Sequence, residues 1–181
     1  VQAYIYPLLV MFIFITMRSA SISTLFAQGT PMRIRQGLGM IAHWTLIALL
    51  LTQLGGWPEA LAFFIVSQLA FSLYMGSVFA PNHKGMLMLD GKTQLDFLRR
   101  QVLTSRNVKS SPINDLLYGG LNYQIEHHLF PSMPRNRLKE AQKIVMPFCK
   151  EHSISYHETG VVQSQREILQ FLHHVSAPLR A

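Results

Sequence analysis

Two apolar runs, residues 38–54 and 60–79, are parted only by a short stretch around Gly55-Gly56-Trp57-Pro58, and this spacing limits what the chain can fold into. At about 1.5 Å per helical residue the first run covers roughly 25 Å, near the lower limit for crossing a bilayer, and the second is long enough to span. Backbone amides in hydrocarbon must be satisfied within their own segment, so both runs are expected as helices joined in a hairpin. The Gly-Gly and Pro mark its turn, and Trp57 suits a membrane–water interface. Arg33 and Arg35 precede the hairpin and Lys84 follows it, whereas the turn carries only Glu59. The positive-inside rule therefore places both ends in the cytoplasm and the turn outside.

The flanking sequence is more mixed. Residues 4–17 are apolar over about 14 positions, which is short for a span and typical of a buried or interfacial helix. The chain begins inside apolar sequence, as a piece of a longer protein would, so a true span stays open there. Arg18 closes this run, and residues 19–35 read as a polar connection. From Pro81 onward the chain turns polar. Residues 93–102 set Leu95, Phe97, Leu98 and Val102 beside Asp96, Arg99 and Arg100, a pattern for an amphipathic helix on the membrane surface or, equally, an ordinary packed helix. Residues 134–150 read as a helix with Leu138, Ala141, Ile144, Val145 and Phe148 on one side. Residues 154–157 read as a short extended piece, and Ser164-Gln165-Arg166-Glu167 as a capping box opening a last helix with Ile168, Leu169, Leu172 and Val175 inward. The fold class expected is all-α: a membrane helical hairpin plus an interfacial apolar helix over residues 1–80, and a cytoplasmic helical cap over residues 81–181.

Composition narrows the partners. An apolar fraction of 49% with a mean hydropathy of +0.21 fits a membrane part joined to a polar part. The net charge of +7 comes without a nucleic-acid motif or a basic patch interleaved with aromatics, so nucleic acid is not an expected partner. The single cysteine, Cys149, excludes an internal disulfide framework and reads as a small buried hydrophobe in a reducing compartment.

Chemistry concentrates between Gly119 and Pro131. Read as a helix, Gln124, His127 and His128 stand at i, i+3 and i+4 and share one face. Neutral imidazole is the commonest protein ligand for redox metals, and two histidines on one turn can serve neighbouring ions. Gly119-Gly120 allows a tight turn into the segment, and Pro131 and Pro134 end it. A bare His-His pair on a solvated helix is the alternative. Asn82-His83 directly follows the last apolar run, where His83 reads either as a further ligand or as an interfacial side chain. His43, inside the first run of the hairpin, reads as an interhelical hydrogen bonder, and His173-His174 as solvated helix surface.

The run Gly119-Gly120-Leu121-Asn122-Tyr123-Gln124-Ile125-Glu126-His127-His128-Leu129-Phe130-Pro131 resembles the third histidine box of the membrane fatty acid desaturases, in the form where glutamine replaces the first histidine. The segments 79–86, 101–108, 119–135 and 157–160 are likewise similar to parts of bacterial acyl-lipid desaturases, the group that includes front-end enzymes. The resemblance implies a four-helix-type membrane fold whose cytoplasmic cap holds a di-iron centre between histidine boxes. It implies His83, His127 and His128 as metal ligands, Gln124 as a ligand or a hydrogen-bonding neighbour of one, and Asn82 as a support for His83. It also implies O2 as co-substrate, a membrane lipid or acyl substrate, and a small electron-transfer protein (a ferredoxin or haem carrier) with its reductase. Arg99, Arg100 and Arg106, with Lys84 and Lys109, are candidates for docking that carrier or a lipid headgroup, simple membrane-surface charge being the alternative. The family's first two boxes, H-x3–4-H and H-x-x-H-H, are absent, so the chain is expected to be the C-terminal part of an integral protein of a bacterial plasma membrane. The function expected is oxygen- and iron-dependent insertion of a cis double bond into a fatty acyl chain, with a membrane hydroxylase or ketolase, or a non-catalytic remnant, as alternatives.

Overall fold

The computed structural model describes residues 2–27, 29–90 and 94–177. Along them run α1 (Gln2–Val10), α2 (Ile13–Ala27), α3 (Thr30–Leu51), α4 (Trp57–His83), α5 (Phe97–Leu103), β1 (Asn107–Val108), α6 (Pro112–Tyr118), α7 (Gln124–Leu129), α8 (Leu138–Glu151), β2 (Glu158–Thr159) and α9 (Val161–Val175). They form two compact units, Pro7–Gly76 and Val1–Tyr6 with Ser77–Ala181, and α4 belongs to the first up to Gly76 and to the second from Ser77.

Among the described residues, α3 and α4 are the two single helices long and apolar enough to cross a membrane, at 22 and 27 residues. Leu38, Ile41, Leu46, Leu49, Phe63, Ile65 and Val66 are exposed, an arrangement suited to lipid and costly in water. The turn between the two helices lies earlier than expected, over residues 52–56, because α3 ends at Leu51 and Trp57 and Pro58 already belong to α4. The polar connection expected over residues 19–35 is instead helical, α2 running through Arg18 to Ala27 and α3 starting at Thr30. The reason is local. Thr16, Ser19, Ser21 and Thr24 each donate their hydroxyl to a carbonyl three or four residues back, so these polar side chains bond within the helix they decorate.

Together α1 and α2 are apolar enough for one broken span, bent by 62° at their junction. The amide of Phe14 leaves the helical ladder there and donates to Ser72 Oγ at 3.0 Å, and a side chain inserted into the ladder is a recognised source of a sharp kink. Gly76, one turn beyond Ser72, lets α4 approach, since a methyl group there would overlap the Val10 side chain.

The other unit is built around a short irregular chain segment. β1 pairs in parallel with β2, Asn107 opposite Glu158 and Val108 opposite Thr159, so the all-α expectation misses one small two-stranded sheet. This extended piece starts at Glu158 rather than within residues 154–157. Val102 of α5, Ile125 of α7, Val145 and Cys149 of α8, and Ile154 form the core, which makes α5 a packed helix and Cys149 the buried hydrophobe expected. The α5 helix begins at Phe97, where Asp96 caps it by accepting from the Arg99 amide at 2.8 Å; Thr93, the expected start, lies outside the described residues. Ile144 and Phe148 face outward from α8, as do Leu169 and Val175 from α9, contrary to the one-sided pattern read from sequence.

The expected capping box is also not one. Gly160 precedes α9, the Ser164 hydroxyl donates to the Val161 carbonyl, and Glu167 is engaged by His157 and Arg106.

Candidate metal centre

His83 closes α4, two residues past Pro81, from which the sequence turns polar. Pro81 has no amide to give the Ser77 carbonyl, a loss that ordinarily kinks or breaks a helix. Here that carbonyl accepts instead from Tyr118 Oη and Gln165 Nε2, both at 3.4 Å, and α4 continues to His83. Two carbonyls at and just beyond its last turn are then covered by one residue. The Arg106 amide donates to the Asn82 carbonyl at 2.9 Å, and Arg106 Nη2 to the Lys84 carbonyl at 2.8 Å. Gly85 leaves the helix at φ +84°, the left-handed conformation open to glycine.

Arg106 is therefore structural. Its side chain is fully buried, with the Ser164 carbonyl at 3.2 Å from Nη1 and the Glu167 carboxylate at 3.4 Å from Nε. A residue in that position cannot dock a carrier protein, and that expectation is corrected. Arg99 and Arg100 are exposed, Arg99 paired with Asp96 at 2.6 Å; Lys109 is exposed, and the Lys84 ammonium lies 4.4 Å over the Tyr6 ring.

Gln124, His127 and His128 lie on α7 as the spacing predicts, after a turn in which Gly119 and Gly120 have φ of +55° and +87°. The N-cap position, Tyr123, offers no side-chain acceptor, and the Ile125 amide is taken by Asn107 Oδ1 at 2.9 Å, so a strand residue does the capping from outside the helix. The Val108 amide donates to the Asn122 carbonyl at 2.9 Å, fixing the turn to the same strand.

These anchors bring His83 and His128 together, their ring centroids 4.9 Å apart, with His127 5.9 Å from His128. His83 Nδ1 lies 3.1 Å from the Thr104 carbonyl oxygen and His128 Nδ1 lies 3.2 Å from Gln101 Oε1. Both neighbours can only accept, so each Nδ1 carries the proton and each Nε2 keeps its lone pair. Burial, and then the charges of His83 and His127, hold His128 below the usual imidazole range and keep it neutral. Histidines that ligate metals have this arrangement, with the distal nitrogen donating to a fixed oxygen. The donor set present therefore fits a metal in chemistry. It is small: among the described residues no three His, Cys, Asp or Glu side chains gather as a metal cluster.

Gln124 stands behind the pair. Its Oε1 accepts from Asn82 Nδ2 at 3.0 Å in a buried contact, which leaves its Nε2 facing His83 Nε2 at 3.2 Å.

Sequence reasoning passes over the residue beside them. Glu126 is fully buried, accepting from Asn107 Nδ2 and from Tyr156 Oη at 2.7 Å each. Tyr156 Oη also receives Asn107 Nδ2 at 2.6 Å and Gln142 Nε2 at 3.3 Å. Burial pushes the Glu126 carboxyl up despite these hydrogen bonds, and burial followed by the Glu126 charge raises the Tyr156 phenol. The one sequence signal was a carboxylate with no basic residue three or four positions away on its helix.

The fatty acid desaturase family profile matches residues 1–160. The chain belongs to the fatty acid desaturase family. The Delta(6)-fatty-acid desaturase fat-3 of Caenorhabditis elegans is 35% identical over 144 residues, covering 76% of this chain and 32% of that protein. The Acyl-lipid (9-3)-desaturase of Physcomitrium patens is 35% identical over 123 residues, covering 68% of this chain and 23% of its own. The Delta(8)-fatty-acid desaturase 1 of Arabidopsis thaliana is 31% identical over 127 residues, covering 70% of this chain and 28% of its own. This desaturase chain thus spans between about a quarter and a third of the length of the curated relatives it matches. These relatives are eukaryotic and lend no support to a bacterial origin. No solved structure matches it.

Proposed function

We propose that the full-length protein is an oxygen-dependent acyl-lipid desaturase, and that His83, His127 and His128 belong to its iron centre. The observation that carries this reading is the meeting of His83 and His128, from helices 41 or more residues apart in sequence, each with Nδ1 on an oxygen acceptor, and with His83 Nε2 facing the Gln124 amide nitrogen. Bound iron with O2 would supply an oxidant strong enough to take hydrogen from an unactivated methylene, which side chains alone do not provide. The chain's own residues hold and orient. The Thr104 carbonyl and Gln101 fix the tautomers, Asn82 fixes the Gln124 amide, and Gln124 presents to His83 Nε2 an N–H that must turn aside for that nitrogen to hold a metal. An amide nitrogen has no lone pair for a metal, so this orientation favours Gln124 as a hydrogen-bonding neighbour over a ligand. The remaining ligands of a di-iron centre come from histidines beyond those this chain places together.

The substrate is an acyl chain on a membrane lipid, and the product carries a cis double bond. Electrons arrive from a small carrier protein, for which exposed Arg99, Arg100 and Lys109 offer positive charge. The metal lies on the cytoplasmic face, with the turn before Trp57 on the other side; a reporter at Gly56 is expected to be extracytoplasmic, and cytoplasmic labelling there overturns the orientation. Expression of the full-length gene in a host lacking polyunsaturated lipids tests the activity. A new double bond at one position is the expected result, and unchanged lipids or a hydroxylated product contradict it.

A further inference from the structure

Arg18 has no carboxylate partner among the described residues. It lies within α2, and its guanidinium sits 4.8 Å from the Trp44 ring centroid and 5.9 Å from that of Phe71. Its Nε is buried and has no hydrogen-bond partner among the described residues, and the same holds for Gln68 Oε1 nearby. Arg18 is half-buried, and aromatic faces attract a guanidinium more weakly than a carboxylate or phosphate does. In residues 7–76 the only carboxylate is Glu59. It stands twelve positions before Phe71 on the same helix, roughly 18 Å away at 1.5 Å per residue. The unit itself cannot neutralise Arg18.

Two cavities meet at this residue, both also lined by His43 and Trp44. One, of about 700 Å³, adds polar Ser21, Thr24 and Gln36. The other, of about 340 Å³, adds Ile47, Leu50, Phe63, Phe64 and Phe71. A charged group therefore stands between a cavity of mixed lining, with Met17 and Met40 beside the polar side chains, and a more apolar one, inside a unit whose helices are suited to the bilayer.

We propose that this is a binding site for an anionic lipid, its phosphate or carboxylate head on Arg18 and its acyl tail along Ile47, Leu50 and Phe64. The guanidinium fork suits two head-group oxygens, His43 lines both cavities beside it, and the apolar chamber takes a chain. The site stands apart from the desaturase reading, because its test counts bound lipid and not product.

The full-length protein is extracted from membranes holding equal amounts of phosphatidylglycerol and phosphatidylcholine, washed in non-ionic detergent, and its retained lipid counted by native mass spectrometry. Wild type is expected to keep phosphatidylglycerol at least tenfold over phosphatidylcholine. Arg18→Gln is expected to lose that preference and Arg18→Lys to keep part of it. Ser21→Asp, which places a carboxylate one turn from Arg18, keeps the cation yet is expected to expel the lipid, so the result does not hang on one variant folding. Equal retention of the two lipids by wild type overturns the proposal, as does an undiminished preference in Arg18→Gln and Ser21→Asp. Displacement of the lipid by inorganic phosphate alone also overturns it, because a head-group contact without a tail makes no lipid site.

Discussion

Full-length protein carrying His128→Ala forms no new double bond: product is expected to fall below about one-hundredth of wild type, since even neighbours of metal ligands are worth roughly 10–100-fold. His128 has its Nδ1 on Gln101, its ring against His83, and burial that keeps it neutral. Alanine removes the lone pair and leaves the Gln101 oxygen without its donor. The comparison that isolates the effect is His174→Ala, an exposed histidine in the last turn of α9, expected to leave product unchanged. The check is gas chromatography of host lipids after matched expression. Wild-type yield from His128→Ala would remove that histidine from the centre.

The second large effect falls on stability. Glu126→Ala is expected to destabilise the folded protein by about 2–4 kcal/mol, at ~1–3 kcal/mol for each buried donor left without its acceptor. The carboxylate accepts from Asn107 and Tyr156, and both donors lose that acceptor inside a packed region when it is deleted. Asn107 also caps α7 through the Ile125 amide, so the loss reaches the helix that bears the histidine pair. Glu126→Gln keeps the shape and one good hydrogen bond, but sets an amide N–H against either Asn107 Nδ2 or Tyr156 Oη. It is expected to cost about 1–2 kcal/mol. In thermal unfolding of the purified full-length protein the alanine variant should melt roughly 10 °C lower, at about 2–4 °C per kcal/mol. A midpoint equal to wild type would mean that the network contributes little.

The parts of this fold that were legible in the sequence are those written in side-chain pattern. Hydropathy marked α3 and α4, and the i, i+3, i+4 spacing with its flanking glycines and prolines marked α7 and its face. Where the reading failed, local polarity stood in for structure. Thr16, Ser19, Ser21 and Thr24 look like loop residues, yet their hydroxyls return to the carbonyls of their own helix. Pro81 leaves the Ser77 carbonyl without its helical donor, yet Tyr118 and Gln165 donate to it across 41 and 88 residues of sequence. Ser164 and Glu167 have a capping box's spacing, but Glu167 is committed to His157 and Arg106.

The supports of the candidate centre were hidden for a related reason. Thr104 acts through a backbone carbonyl, which no side-chain pattern announces. Asn107 and Tyr156 meet Glu126 only because β1 and β2 pair, bringing positions 49 residues apart to one point. Arg106 looked like surface charge because arginine usually is. Its burial follows from what it holds: the last carbonyls of α4 on one side and Glu167 on the other.

The proposal depends on imidazoles from α4 and α7 gripping one metal centre, and iron content measures that directly. Full-length protein, purified beside its His83→Ala and His128→Ala variants and confirmed as folded by thermal melting, should carry iron that both single variants largely lose. Retention of wild-type iron by His83→Ala would contradict it, because the helix-end histidine would then be only a neighbour of the pair on α7.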